Sequence, residues 1–371
     1  MSSGNSFYAE YHFFADNLPD AEQEAEKIAV EQTAELPPDT VPEKLKRYIG
    51  NVSDLKQMSE GRWQATINYR KELVSGDPVQ FLNVLFGNIS IKPGVQITDL
   101  DRNYLKELLP GPAFGINGIR SILGSDKRPL SCTALKPTGS SPSELAKKAS
   151  AFTEGGIDII KDDHGLANQP AANFEARVQQ CTEAIRAGEQ ISGKKTLYFP
   201  NITGPLADLF KKIKIAQDLG ADGLLISPQL TGLNCMEEIV RSETDLPVMA
   251  HPAFSGPYTI HKYSGFKPSI YFGLLWRALG ADCIIYPNAG GRFSYTLQQC
   301  IDINSECRSS DLDMPASFSV PAGGIDRNSL KEWMKDYGRD TIFLIGGSLY
   351  QHPEGLKTAA KEFQKTLESY E

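Results

Sequence analysis

From about Arg128 onward, short apolar and β-branched runs alternate with stretches of helical periodicity, and this alternation most limits what the chain can become. Strand, helix, strand is the pattern of parallel sheet, because parallel neighbours need a crossover long enough to bring the chain back. Eight such runs are read, at 129–136, 157–163, 196–202, 223–227, 246–251, 282–288, 317–322 and 341–347. Helix candidates lie between them at 142–154, 173–187, 206–219, 270–279 and 329–336. The first is announced by Ser141-Pro142-Ser143-Glu144, a capping box in which Ser141 caps, Pro142 takes the first helical position and Glu144 reaches back to the cap. Eight strand–helix units have the size and rhythm of a closed (β/α)8 TIM barrel. An open doubly wound sheet would place a glycine fingerprint after its first strand, and Lys136-Pro137-Thr138-Gly139 is not one.

The preceding residues read differently. Strands are expected at 7–14 and 62–69, and Ala21, Ala25, Ile28, Ala29 and Thr33 share one helical face, which makes a small α+β domain of the ferredoxin-like type. The punctuated stretch Leu109-Pro110-Gly111-Pro112 suits a boundary, giving an N-terminal domain over 1–115 and a barrel over 116–371. With 46 acidic against 38 basic side chains the net charge is −8, which repels nucleic-acid phosphates. The N-terminus lacks a basic then apolar leader and the most apolar stretch, 269–276, is too short to span a bilayer, so a cytoplasmic protein without a membrane partner is expected. Six dispersed cysteines without a CxxC pair read as reduced thiols.

In this fold the reacting groups sit at the C-terminal ends of the strands. The runs end in Lys136, in Lys161-Asp162-Asp163-His164, in Asn201, in Ser227 and Gln229, in His251, in Asn288 with Arg292 beyond it, in Gly323-Gly324 and in Gly346-Gly347-Ser348. Strand alternation sends Lys161 and Asp163 to the same side, with His164 just past the end and Asp162 turned away. If Lys161 carried a carbamate from CO2, the three would converge on one cation; the plain reading is a Lys–Asp ion pair closing the barrel mouth. Glycine pairs after strands seven and eight let backbone N–H groups approach a phosphate, or are ordinary tight turns. Lys136 is a general base or a salt-bridge partner. His251 is a substrate hydrogen bond or a satisfied core residue, while His12, His261 and His352 follow no strand end and are left outside the site.

These residues carry a resemblance. Gly156-Ile-Asp-Ile-Ile-Lys161-Asp-Asp-His164 resembles the Gly-Gly-Leu-Asp-Phe-x-Lys-Asp-Asp-Glu motif of ribulose-bisphosphate carboxylase (RuBisCO). Leu135-Lys136-Pro137 is similar to its base-bearing Lys-Pro-Lys, and Gly87-Asn88 to its N-terminal Gly-Asn. Gly323-Gly324-Ile325 and Gly346-Gly347-Ser348, followed by His352-Pro353, resemble its two phosphate-binding segments, and Gly111-Pro112, Gly115-Ile116 and Arg128-Pro129-Leu130 agree in the linker. The resemblance covers nearly the whole chain.

It implies a carbamylated Lys161 holding Mg2+ with Asp163, and Lys136 near the proton-transfer centre. It implies that Glu31 and Asn88 complete the site from a partner subunit, so that a homodimer is the smallest assembly and higher oligomers of dimers are open. His251 joins the catalytic set, and Arg292, Gly324, Gly346 and Gly347 would hold the phosphate. The departures are as informative. His164 replaces a carboxylate ligand, Thr138 the second lysine of Lys-Pro-Lys, Pro252 an arginine and Ile285 a histidine, and Arg292 stands where the mobile loop's lysine is expected. One phosphate site and a substituted loop do not suit CO2 fixation. The implied function is that of a RuBisCO-like protein, with Mg-dependent enolisation and isomerisation of a sugar monophosphate such as 5-methylthioribulose 1-phosphate. The alternatives are a decarboxylase of a phosphorylated 3-oxo sugar acid, of the 3-oxo-isoapionate 4-phosphate type, and a catalytically silent binding protein.

Overall fold

The computed structural model describes residues 4–370 except 327. The chain divides into two compact units: residues up to Leu109 together with Gly256–Tyr271, and Pro110–Ser255 together with Phe272–Glu371.

The first unit is built on a mixed sheet. Its strands are β1 (Ser6–Phe14), β2 (Asn51–Ser59), β3 (Arg62–Arg70) and β4 (Gln96–Leu100), with β1–β3, β1–β4 and β2–β3 antiparallel. Period-two alternation places Phe7, Ala9, Tyr11 and Phe13 on one face, against Ala21, Ala25, Ile28 and Ala29 of the helix Leu18–Glu31, all buried. Phe7 stacks on Tyr104 at 4.4 Å, and large side chains buried this way each stabilise the fold by roughly 2–3 kcal/mol. The helix begins where Asn17 caps the N–H of Asp20. A short strand from a distant part of the chain, Gly265–Phe266, lies parallel to β4 and completes the sheet, with Gly265 N–H donating to Val95 O and Lys267 N–H to Ile97 O.

The second unit is the barrel. Eight parallel strands, β5 (Leu130–Leu135), β6 (Ile159–Asp162), β7 (Leu197–Phe199), β8 (Leu224–Ile226), β9 (Val248–Ala250), β11 (Cys283–Pro287), β12 (Phe318–Ala322) and β13 (Ile342–Leu344), run in the order β7-β6-β5-β13-β12-β11-β9-β8, the distant strand above being β10. A parallel bridge between Asn201 and Leu225 closes the ring. Each of the eight expected runs contains one strand, and the helix Pro142–Glu154 starts at the expected capping box, with Ser141 and Glu144 bonded reciprocally. Alternate residues Cys132, Ile159, Leu197, Phe199, Leu225, Met249, Cys283, Ile285, Phe318, Val320, Ile342 and Leu344 fill the interior. Ile116 and Ile119 of the helix Gly115–Leu123 join that core from below, where Ile116 N–H donates to Ala316 O just ahead of β12. All six cysteines are free and buried. Among the described residues no helix is long and apolar enough to cross a membrane.

Ion pairs fix the ends of several strands. Asp158 accepts both arms of Arg128 at 2.8 Å, the N–H of Ser131 and the amide of Gln364, tying β6 to the start of β5 and to the last helix, Leu356–Glu368. Asp282, 0 % exposed, accepts the N–H groups of Phe114 and Gly115 on one oxygen and that of Val248 on the other. One carboxylate therefore joins the barrel floor to two neighbouring strands.

Candidate active site

Inward parity decides which side chains reach the barrel mouth. On β5 it carries Cys132 and Ala134 on to Lys136, and on β6 it carries Ile159 on to Lys161 and then Asp163. On β7 the last inward residue is Asn201, on β8 Ser227, on β9 His251, and on β11 Pro287. The polar part of the mouth thus comes from β5, β6, β7, β8 and β9.

Four of the expected residues meet there. Asp163 Oδ1 lies 3.3 Å from Lys136 Nζ and 3.5 Å from His164 Nδ1. The ring of His164 stacks on that of His251 with centroids 4.6 Å apart and an 11° tilt. Lys161 is 1 % exposed, and its Nζ donates to Asp162 O at 3.1 Å. The ion pair at the mouth is therefore Lys136–Asp163, not the Lys161–Asp163 pair considered from the sequence. Asp162 turns outward as expected, accepting from Arg177 Nε, the Tyr198 hydroxyl and Asn201 N–H, each at 2.9 Å.

The electrostatics follow from burial. Desolvation pushes the Lys161 ammonium below its ordinary pKa, with only partial opposition from nearby acidic groups. Burial alone would raise Asp163, but the His164 ring and the Lys161 and Lys136 charges outweigh it and hold the carboxyl well below the usual range. His251 is held well below the usual histidine value, by desolvation first and then by Lys161 and His164. Its Nδ1 accepts the N–H of Ala253 at 3.1 Å, so a neutral His251 carries its proton on Nε2 and is a donor on its free edge.

Two residues outside the expected set hold these groups in place. Asn201 Nδ2 donates to His164 O at 2.9 Å and Asp163 O at 3.3 Å, while its Oδ1 accepts Thr203 N–H. A polar residue at an inward strand end was its signal in the sequence. Tyr350 accepts the N–H of Lys136 and donates to Ala134 O, both at 2.9 Å, which clamps the end of β5. It comes from the short helix Gly347–Tyr350, after strand eight, and nothing in its spacing marked it.

The glycine turns lie close by. A Cβ on Gly346 would stand 4.0 Å from Lys136 Nζ, so the eighth-strand turn borders the lysine. Gly324 has φ +73°, and a Cβ there would lie 2.6 Å from Gly291 N, so the loops after β11 and β12 pack backbone to backbone. A Cβ on Gly347 would meet nothing within 4 Å, leaving its backbone open to a ligand. Arg292 is exposed beside that packing, its guanidinium 5.8 Å from the Phe293 ring. In the first unit, Asn88 Nδ2 donates to Glu31 Oε1 at 2.9 Å.

Among the described residues no group of three or more His, Cys, Asp or Glu side chains gathers as a metal-ligand set. Asp163 and His164 supply two donors, and a lysine beside them that carried an added carboxyl would supply a third, so the donor chemistry fits a divalent cation only with such a modification.

The catalytic-domain model of the ribulose bisphosphate carboxylase large chain matches residues 115–371. The chain belongs to the RuBisCO large-chain family. Within it, the 5-methylthioribulose-1-phosphate isomerase of Rhodospirillum rubrum is 35% identical over 345 residues, covering 91% of each chain. The 2,3-diketo-5-methylthiopentyl-1-phosphate enolase of Bacillus velezensis is 33% identical over 369 residues, covering 96% of this chain and 91% of that one. The crystal structure of a Rubisco-like protein from Rhodopseudomonas palustris superposes with a TM-score of 0.90 at 33% identity, over 99% of each chain. This RuBisCO-family member is an enzyme of the RuBisCO-like kind.

Proposed function

We propose that this RuBisCO-like enzyme does not fix CO2 and is a Mg2+-dependent isomerase that enolises a sugar monophosphate of the 5-methylthioribulose 1-phosphate type. The observation that carries this reading is the convergence of Lys136, Asp163, His164 and His251 above buried Lys161, on a mouth where Pro252, Ile285 and Pro287 bring no charged side chain to the ends of β9 and β11. Two phosphates would need cationic anchors on both sides of such a mouth, and Pro252 and Ile285 supply none at the ends of β9 and β11.

Each residue then has a role. Lys161, as a neutral amine, adds to CO2 with loss of a proton, and the resulting carbamate joins Asp163 and His164 as the cation site. A divalent cation held there supplies the positive charge that stabilises oxyanion character in an enolising substrate. Lys136, released from Asp163 and having given its extra proton to solvent, acts as the neutral amine that removes the proton α to the carbonyl, and return of that proton to the former carbonyl carbon completes the isomerisation. His251 Nε2–H donates to a substrate oxygen. Asn201 and Tyr350 keep the ligand pair and the base at their stations. Gly324, Gly346 and Gly347 take the phosphate on backbone N–H groups, with Arg292 closing over it, and Glu31 with Asn88 reaches the mouth of a second copy, so the working unit is a homodimer.

The test follows the carbon skeleton by NMR with Mg2+ and CO2 present, using 5-methylthioribulose 1-phosphate, the diketo phosphate of the enolase reaction and a phosphorylated 3-oxo sugar acid. Isomerisation of the first is expected; loss of CO2 from the third with the first untouched would overturn the reading. A narrower prediction concerns the phosphate. Because Gly347 has room for a methyl group, Gly347→Ala should leave the melting temperature unchanged while raising KM about tenfold, since a Cβ there blocks backbone approach. An unchanged KM would remove Gly347 from the phosphate site.

A further inference from the structure

The loop after β9 contains a residue that fits its turn badly. Ser255 N–H donates to Pro252 O at 3.1 Å, closing a four-residue turn in which Phe254 is third, with φ +68°. Ala253 has no such positive φ, so the turn is of the type II kind, whose third position calls for glycine. A bulky side chain in the left-handed region costs about 1–2 kcal/mol, and such outliers concentrate at ligand-contacting positions. Little of the ring is packed in return. Phe254 is 67 % exposed, more than any other aromatic residue described.

Its position connects this misfit with the site. His251, three residues earlier, fastens the turn through its Nδ1 to Ala253 N–H, and its ring stacks on His164. In the ring of strands β9 stands across from β5, which carries Lys136, and two places beyond β12, which carries the Gly323–Gly324 turn. The adjacent inward residues are Met249 and Ile285, both buried, and Pro287 above them. A phosphate at the glycine turns and a reacting carbon by Lys136 therefore leave the far end of the substrate facing an apolar wall topped by an exposed ring.

We propose that Phe254 is a specificity-determining residue of this site: its ring, held in the strained turn beside His251, receives an apolar, thioether-bearing tail on the substrate carbon farthest from the phosphate. This rests on the functional reading above for the placement of phosphate and base. A thioether sulfur against an aromatic ring adds a modest favourable contact to the apolar area it covers, whereas a hydroxyl gains no such contact there and loses part of its hydration.

The experiment compares wild type, Phe254→Gly and Phe254→Tyr by calorimetric binding of a 5-methylthio pentulose 1-phosphate and of ribulose 1-phosphate, its 5-hydroxy counterpart, to the Mg2+- and CO2-treated enzyme. Wild type should prefer the thioether ligand. Phe254→Gly should lose about tenfold in affinity for it, with little change for the hydroxyl ligand and a melting temperature no lower than wild type, and Phe254→Tyr should restore the preference. Equal losses for both ligands, an unchanged ratio in Phe254→Gly, or a change in oligomeric mass with the ratio intact would overturn the proposal. Turnover of the thioether compound, followed in parallel, reports on the functional reading by itself: preference without isomerisation sinks that reading and leaves Phe254 standing.

Discussion

Lys161→Met should lower turnover by at least about 10³-fold and abolish stabilisation by Mg2+ and CO2, while the metal-free protein melts no lower than wild type. Lys161 is 1 % exposed in the barrel interior, and among the described residues its Nζ donates only to the carbonyl of Asp162. Methionine nearly conserves the volume and removes a desolvated cation, so folding has little to lose. Catalysis loses the third donor of the cation site. Charge stabilisation by a bound cation contributes several kcal/mol, and about 4 kcal/mol corresponds to that factor. Two measurements suffice: turnover with and without EDTA and CO2, and thermal melting with and without Mg2+ and CO2. Activity indifferent to EDTA, to CO2 removal and to Lys161→Met would falsify the cation site.

Asp282→Ala should cost the barrel about 4 kcal/mol, read as a fall in the denaturant midpoint. Removing the carboxylate strands three buried N–H groups, those of Phe114, Gly115 and Val248, each of which carries a desolvation penalty of roughly 1–3 kcal/mol when unpaired. Burial pushes the Asp282 carboxyl up to about 6, against the pull of those same three donors. A folded-state value above the unfolded one of about 4 means that the contribution of this group is complete below that pH and declines as the pH rises through about 6. The deficit of the variant should therefore be larger at pH 5 than at pH 7. Asp282→Asn keeps an oxygen for Phe114 and Gly115 but turns its NH2 toward Val248 N–H, and should fall between the two. A loss below about 1 kcal/mol for Asp282→Ala would show that the floor helix is held by its apolar contacts alone.

The barrel was legible because each of its strands is buried on both faces and so appears as an unbroken apolar run between helical segments. The other elements followed different rules. Strand β2 went unread because, as an exposed edge strand, it has almost no apolar alternation in Asn51–Ser59. The segment 270–279 reads as one helix in sequence; the structure makes it a widened π-helical turn, Ser269–Leu275, leading into Trp276–Ala278. In the site, Lys136, Lys161, Asp163, His164 and His251 were legible as polar ends of apolar runs. The pairing was not: spacing offered Lys161 to Asp163, whereas the longer reach from the next strand brings Lys136 there. Tyr350 and Phe254 could not be found by pattern, since one acts through a backbone N–H and the other through a turn geometry that its residue type disfavours.

The excursion of the chain through Gly256–Tyr271 also bears on how the protein is made. The edge of β4 is completed by Gly265–Phe266, with Ser264 Oγ accepting Gly94 N–H beside it. During synthesis from the N-terminus, β4 leaves the ribosome long before its partner strand exists, and five barrel strands must be translated in between. Until then the nascent sheet presents an unpaired strand edge to solvent, the kind of surface that chaperones cover and that neighbouring nascent chains on a polysome can pair with. The first unit is contiguous in space but discontinuous in time, so a gene fragment cut after Leu109 encodes a sheet with its last strand missing.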